Sequence, residues 1–411
     1  MNKNIKLAVA GAVLALSATA ANAGIIIPAG EWTVDIGGNV NTYATWTKTT
    51  ANNAIKGGLV GGTDADTVGA ISTQGTHTVN NLTTGLLPHF LSVSGSTRQN
   101  DLDVAFTISI QPGTSNTGAF GNQSAQNNRQ AFMSFGDKSW GSVKLGKDLG
   151  IFASDAILSD ISLLGVGAST VAGNNTTLGR IGSGYLYADW KPQIAYTTPN
   201  FNGLQATVGI TQAWNQVAVG SSGIATTTRG GAAPAYEGKA SYSFSANDVT
   251  GKIWVSGIAQ KNDGLGAIQD DSTAYAGDIG ANVNFAGFGL TGYYYGGSGV
   301  GTSGQMSGGY ALVGGHAKQR NSDGGYVQAT YILPTKTKAA VSYGESNLDY
   351  ASGETTDGLL VKSNSQWLAG LYHPLTKHLN LVAEYTHVEA QAQNNATNKA
   401  NTGSLGAILF F

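Results

Sequence analysis

The chain of 411 residues contains no cysteine. Without cysteine there are no disulfide staples, so the fold rests on backbone pairing and packing. Charge is sparse: only 11% of residues are Asp, Glu, Lys or Arg, and the formal net charge is −2. No basic stripe of the sort that nucleic-acid binders carry is present. Beyond the first two dozen residues no apolar run is long enough for a transmembrane helix. Prolines number 8 against 59 glycines, a balance that suits turns and pleated strands better than helices. Catalytic signatures are missing too: there is no His-Glu-x-x-His, no Gly-x-Ser-x-Gly elbow and no cysteine cluster. The glycine run at 296–301 leads into no helix-like segment and reads as a flexible loop. The six histidines are scattered. They read as surface or local packing residues, His316 among them. No catalytic, metal or cofactor site is expected, and the chain does not read as an enzyme.

What is present is a set of ends and a rhythm. Lys3 and Lys6 precede the apolar run Leu7 to Leu16, and Ala21-Asn22-Ala23 follows. A basic start, a short apolar stretch and a small-residue site make residues 1–23 a secretory signal, cleaved before Gly24. No acid lies in that segment, so losing Lys3 and Lys6 takes the formal charge from −2 to −4. The remainder, 24–411, shows no composition break and is read as one domain, although a soluble chain of this length usually divides.

Period-two alternation recurs along the chain. In Leu102 to Ile110 one face is Leu, Val, Phe, Ile, Ile and the other Asp, Ala, Thr, Ser, which is half-buried strand behaviour. Leu204 to Thr211 and Leu381 to Thr386 repeat it. Alternation alone does not separate a sandwich from a barrel; loop lengths do. Candidate strands lie near 31–46, 89–99, 101–111, 129–136, 141–147, 191–198, 204–214, 236–246, 249–260, 272–285, 288–296, 325–333, 338–347, 365–373, 380–391 and 402–411. Short turns, such as Asn247-Asp248 and Ala286-Gly287, alternate with long polar loops at 47–88, 148–190, 215–235, 297–324 and 348–364. Short turns on one side and long loops on the other mark an all-β transmembrane antiparallel barrel of roughly sixteen strands. Trp32, Tyr43, Trp46, Trp140, Trp190, Tyr196, Trp214 and Tyr293-Tyr294-Tyr295 cluster near predicted strand ends. They are expected to form interfacial girdles, although strands are enriched in aromatics in any case.

The sequence closes on Ser404-Leu405-Gly406-Ala407-Ile408-Leu409-Phe410-Phe411. An apolar last strand left open would invite aggregation, and a closed barrel pairs it with the first strand. The ending resembles the C-terminal strand of bacterial outer-membrane barrels, which makes Phe411 the expected assembly signal. Its parity is unexplained, because Ile408 and Phe410 share the face opposite Leu409 and Phe411.

Two stretches resemble the general porins of Gram-negative bacteria. One is Asn128 to Gly136 followed by Trp140 to Lys147, similar to the family's Arg-led strand, tight turn and strand ending in Gly-Arg, with Lys147 in place of the final Arg. The other is Gly179-Arg180-Ile181-Gly182, then Ile194-Ala195-Tyr196-Thr197-Thr198-Pro199-Asn200-Phe201-Asn202-Gly203, similar to the family's Tyr-x-Ser-Pro-x-Phe-x-Gly turn. The resemblance implies a loop 3 at 148–190 that folds into the lumen and narrows it. On that basis Asp155 and Asp160 are the loop acids, and Arg129 and Arg180 are wall bases opposite them, joined by Lys144 and Lys147. Two departures stand out. Ser162-Leu163-Leu164-Gly165-Val166-Gly167 occupies the place of a second loop acid, and Pro88-His89-Phe90-Leu91 lacks the pore-facing Arg often found there.

The reading is therefore a passive diffusion channel for small hydrophilic solutes in the Gram-negative outer membrane. The resemblance implies a homotrimer with lipopolysaccharide around its rim, and no nucleic-acid partner. A substrate-selective channel is the first alternative, and a surface adhesin or structural barrel the second.

Overall fold

The computed structural model describes residues 24–61, 75–114, 126–169, 176–226, 233–266, 270–354 and 357–411. The expected signal segment 1–23 lies outside the described residues. Twenty strands occur among the described residues, in this order: β1 Ile25–Ala29, β2 Trp32–Ala51, β3 Gly75–Thr83, β4 Phe90–Gln99, β5 Leu102–Ile110, β6 Ala131–Asp137, β7 Gly141–Leu149, β8 Trp190–Thr197, β9 Leu204–Thr211, β10 Ala235–Ala246, β11 Val249–Leu265, β12 Asp270–Phe285, β13 Phe288–Ser298, β14 Tyr310–Val313, β15 His316–Gln319, β16 Asn321–Ile332, β17 Lys338–Leu348, β18 Val361–Pro374, β19 Leu379–Ala392 and β20 Thr397–Phe410.

Neighbours in sequence pair antiparallel around a ring, and β20 returns to pair with β2, from Asn39↔Phe410 to Thr50↔Lys399. Two staves are each built from two strands. β1 continues the line of β20 and pairs with the first part of β2, from Ile25↔Ile36 to Ala29↔Trp32. β3 and β4 lie end to end on the other side of β2, at Tyr43↔Thr83 and Asn39↔Phe90. Eighteen strands thus make a closed barrel of 16 staves. β14 and β15 form a separate hairpin.

Closure is completed by the last residue. The Phe411 N–H donates to the Gly38 carbonyl at 3.0 Å, and the Gly38 N–H donates back at 2.8 Å. In lipid each unpaired backbone group costs several kcal/mol, so an open strand edge is not tolerated there. Gly38 is required for this contact: a Cβ would run into the Phe90 carbonyl and the Phe411 ring.

The alternation in the sequence is the alternation of the barrel wall. Leu290, Val327, Val341, Leu371, Leu381 and Leu405 stand exposed on the outward face. Thr291, Gln328, Ser342, Gln366, Glu384 and Ser404 are buried on the inward face. An outward apolar face with a polar interior is the pattern of a membrane-spanning barrel. Outward aromatics gather beside the short turns: Trp140, Tyr196, Phe201, Phe285, Phe288 and Tyr331 are all exposed, with the Phe288 and Tyr331 ring centroids 4.4 Å apart. Parity corrects part of the expected girdle. Trp46 and Tyr294 face outward, whereas Tyr43, Tyr293 and Tyr295 are buried inside.

The same parity accounts for the C-terminal strand. Ile408 and Phe410 are buried on the inward face, opposite Asn41 and Asn39 in register, while Leu409 is exposed outward. Two expected loops hold structure of their own: β3 falls within 47–88, and the β14–β15 hairpin within 297–324.

Candidate functional site

Segment 148–190 leaves β7 and returns to β8. Its polar groups reach side chains from much of the ring. At its start, Lys144 pairs with Asp148, whose other oxygen accepts from Gln130 Nε2 at 3.0 Å. The Ile151 and Phe152 N–H groups then donate to one Glu237 oxygen at 2.7 and 2.8 Å. The other Glu237 oxygen accepts from Lys191 Nζ at 2.7 Å, and neither side chain has any exposed surface. A buried ion pair of this kind contributes little net stability as a whole, but breaking one half is expensive. Glu237 is therefore a fixed anchor.

A six-residue helix follows, α1 Ser154–Ser159. Asp155 in its first turn pairs with Lys239 of β10 at 3.2 Å and with Lys252 of β11. Burial alone pushes the Asp155 carboxyl up, but the two lysines overcome that and hold it below the ordinary carboxylate range. Asp160 ends the helix and accepts from the Ser162 N–H at 3.0 Å, which caps a 3₁₀ turn at Ile161–Leu164. Across the ring, Tyr326 of β16 donates to the Ala156 carbonyl at 2.9 Å, and Gln328 accepts from the Ile161 N–H at 2.8 Å. Tyr43 of β2 donates to the Leu164 carbonyl at 2.7 Å. Glu384 of β19 accepts from the Val166 and Gly167 N–H groups at 2.7 and 2.9 Å.

Arg180 is fully buried on the return path. It donates to the Gln366 carbonyl at 3.1 Å and to Ser342, stacks over the Tyr326 ring at 5.7 Å, and lies 3.8 Å from Asp160. Gly344 on β17 leaves room for it, since a Cβ there would sit 2.9 Å from Arg180 Nη1. Tyr185 donates to Asp160 at 2.9 Å. Its phenol is pushed well up by burial and by the Asp160 charge.

The structure therefore redistributes the expected residues. Arg180 stands in the segment, not on a strand across from it, and it contacts Asp160 directly. Arg129, just before β6, lies 5.6 Å over the Trp190 ring and makes no ion pair within the salt-bridge distance among the described residues. Lys144 pairs in register with inward Ala195. Lys147, three residues on, pairs with Pro192 and Ala131 on the opposite, outward side. Asp155 meets Lys239 and Lys252, not the arginines. The acid missing from 162–167 is supplied by the wall as Glu384.

Sequence reasoning passed over Glu237, Lys239, Lys252, Lys191 and Glu384. One signal was available. Each is an ionisable residue inside a strand, and such a residue must find a partner on the inward face.

Comparison with known proteins agrees with this architecture. A family model described as Gram-negative porin matches residues 8–393. No curated protein sequence matches the chain. Among solved structures it resembles the outer-membrane channel DcaP of Acinetobacter baumannii at 18% identity and a TM-score of 0.68, over 95% of this chain and all of that one. The anion-selective porin from Comamonas acidovorans follows at 16% identity and 0.58, over 93% of this chain and 100% of that one. A trimer form of OmpT from Vibrio cholerae is similar at 12% identity and 0.56, over 92% and 99%. With the closed barrel, its outward apolar face and a family match over almost its whole length, the chain belongs to the Gram-negative porins and forms a channel in the outer membrane.

Proposed function

We propose that this porin passes small hydrophilic solutes by diffusion and favours anions, with segment 148–190 folded into the lumen, where it narrows the barrel. Ring geometry supports that placement. The segment joins β7 to β8, yet it is bonded to β16, β17, β18 and β19 on the far side of the ring. The partners are the inward-facing side chains of Gln328, Ser342 and Glu384 and the Gln366 carbonyl, with Ser183 donating to the Gln366 side chain at 2.8 Å, and an external loop does not reach them.

The observation that carries the ion preference is how the charges are exposed where segment and wall meet. The side chains of Lys144, Lys239 and Lys252 keep 29%, 25% and 35% of their surface. Their partners Asp148 and Asp155 keep 1% and 6%. The acids lie underneath and the ammonium groups stand at the water. Field lines in a narrow pore with low-dielectric walls are focused, so such exposed charges bias the ions that enter. The Comamonas relative, named for anion selectivity, agrees with this reading.

A homotrimer is part of the same proposal, supported by the trimer form of the Vibrio relative. The outward apolar band is the surface for outer-membrane lipid and lipopolysaccharide. The family and fold are those of a channel, and no catalytic role is proposed. The test is Lys239→Glu with Lys252→Glu in a planar bilayer under a salt gradient. The double variant is expected to move the reversal potential toward cation preference. An unchanged potential in a folded, conducting variant would remove these lysines from the ion path.

A further inference from the structure

The long-loop end of the barrel carries a second polar construction, which the channel reading does not use. It joins four connections: 52–61 after β2, 212–226 after β9, 299–320 between β13 and β16, and 349–360 between β17 and β18, taken over their described residues. Arg320 is its centre, and neither its side chain nor that of Glu354 has any exposed surface. Its guanidinium donates to Glu354 at 3.0 and 2.5 Å, to the Val219 carbonyl at 2.8 Å and to the Gly308 carbonyl at 3.0 Å. Ser222 donates to the same Glu354 carboxylate. A second tie lies beside it. Lys56 donates to Asp357 at 2.9 Å and to Ser221, and Asp357 also accepts from the Ser221 N–H at 2.7 Å. Backbone bonds reinforce it: Lys56 N–H to the Leu359 carbonyl, and Val361 N–H to the Lys56 carbonyl, both at 2.9 Å.

Position on the ring gives these ties their meaning. Counting staves from β2, the loop that holds Val219 and Ser221 joins the seventh and eighth of the 16 staves. Lys56 rises from the first. Loops from nearly opposite sides of a closed ring touch only across its opening. The contact is packed as well as polar. Leu59, Val219, Val300, Met306 and Leu360 are all buried there. The space left between Gly57, Val219, Ser307 and Val361 is about 10 Å³, room for one water at most. Loops made only of solvated polar residues would not build such a core.

We propose that Arg320–Glu354 and Lys56–Asp357 lock these four loops into a cover across the outer mouth, and that the lock sets the largest solute the channel admits. Arg320 is a positioning residue here. It acts by holding Val219, Gly308 and Glu354 together, and small solutes pass at the margins of the cover. Without the lock, the cover opens and the size limit moves to segment 148–190.

The test is liposome swelling with a series of sugars from mono- to tetrasaccharide, using wild type, Arg320→Ala, Lys56→Ala and the swap Arg320→Glu with Glu354→Arg. Folded barrel is first verified for each by heat-modifiable migration. Wild-type rates are expected to fall steeply with sugar size. Arg320→Ala and Lys56→Ala should raise the tetrasaccharide-to-monosaccharide rate ratio at least two-fold, and so should the swap, whose carboxylate at 320 keeps the charge pair but cannot donate to the Val219 and Gly308 carbonyls. A merely structural role for Arg320 would lower yield without changing that ratio. If Arg320→Ala does not fold, Lys56→Ala carries the test, because its side chain is 25% exposed and tolerates truncation. An identical size profile in folded variants overturns the lock. A wild type that admits no sugar at all overturns the diffusion reading, and the lock with it.

Discussion

Asp155→Asn isolates the electrostatics of the proposed narrow region. The substitution keeps the shape of α1 but removes the carboxylate that pairs with Lys239 and Lys252. A monovalent ion passing about 7 Å away feels a unit charge at roughly 0.6 kcal/mol in a water-like dielectric. Screening at 0.1 M, with a Debye length of about 10 Å, leaves about half of that. Local anion concentration then rises and cation concentration falls by about 1.6-fold each, so the anion-to-cation permeability ratio increases roughly three-fold. At 1 M the Debye length is about 3 Å and the change nearly vanishes. Reversal potentials in a salt gradient, at low and at high mean salt, read both numbers. There is a pH counterpart. The Asp155 carboxyl is held below its ordinary value, so its charge is fully present above about pH 4 and is lost only as pH falls through the lowered pKa. Wild type should drift toward Asp155→Asn behaviour below that range, and the variant should show no such step. Equal potentials for the two proteins at 0.1 M and neutral pH would overturn this assignment, because they would place Asp155 and its lysines away from the ions.

Three other expectations follow from the same contacts. Arg180→Met leaves Asp160 buried with its charge uncompensated, at a cost of about 3–5 kcal/mol. Hydrogen exchange should report faster opening of 150–187, largely reversed by adding Asp160→Asn, and unchanged protection in the single variant would count against the anchor. Deleting Phe411 should reduce assembled barrel in cells more than Phe410→Ala does, whereas Phe410→Ala, which empties a buried site, should reduce the stability of refolded barrel more; matching losses in both assays would make Phe411 an ordinary strand residue. The Glu354 and Asp357 carboxyls are pushed up by burial but held below their usual range overall, by Arg320 and Ser222 in one case and by Ser221 and Lys56 in the other, with the Tyr350 phenol nearby. Their ties therefore persist above about pH 4 and fail as pH falls through the lowered pKa values, so sugar size limits should be flat from pH 8 to 5 and widen only in stronger acid; widening near pH 6 would implicate other groups.

The membrane-spanning wall was legible because its physics is local. Each candidate strand from 31–46 to 402–411 corresponds to a stave, since one apolar and one polar face leave a period of two. Past the bilayer both faces meet water or other loops, and the signal fades. That is why β11 and β12 run closer together, at Leu265 and Asp270, than the alternation suggested, and why β3 and the β14–β15 hairpin were read as loop. Charged partners were least legible. Asp160 and Arg180 meet within one segment, Asp155 meets lysines some ninety residues away, and Glu384 stands in for an acid expected on the segment. Those pairings depend on the path that about forty residues take between β7 and β8, which no local spacing records. Lys147 is different: three residues from Lys144 on one strand, it had to face the other way, and parity alone would have set it aside.

The most direct measurement is the single-channel current of purified wild type in a planar bilayer under a KCl gradient around 0.1 M. The expected result is discrete conductance steps and a reversal potential of the sign set by chloride, moving toward zero as mean salt rises. A silent bilayer in the presence of folded barrel, or steps whose reversal potential follows potassium, would contradict it.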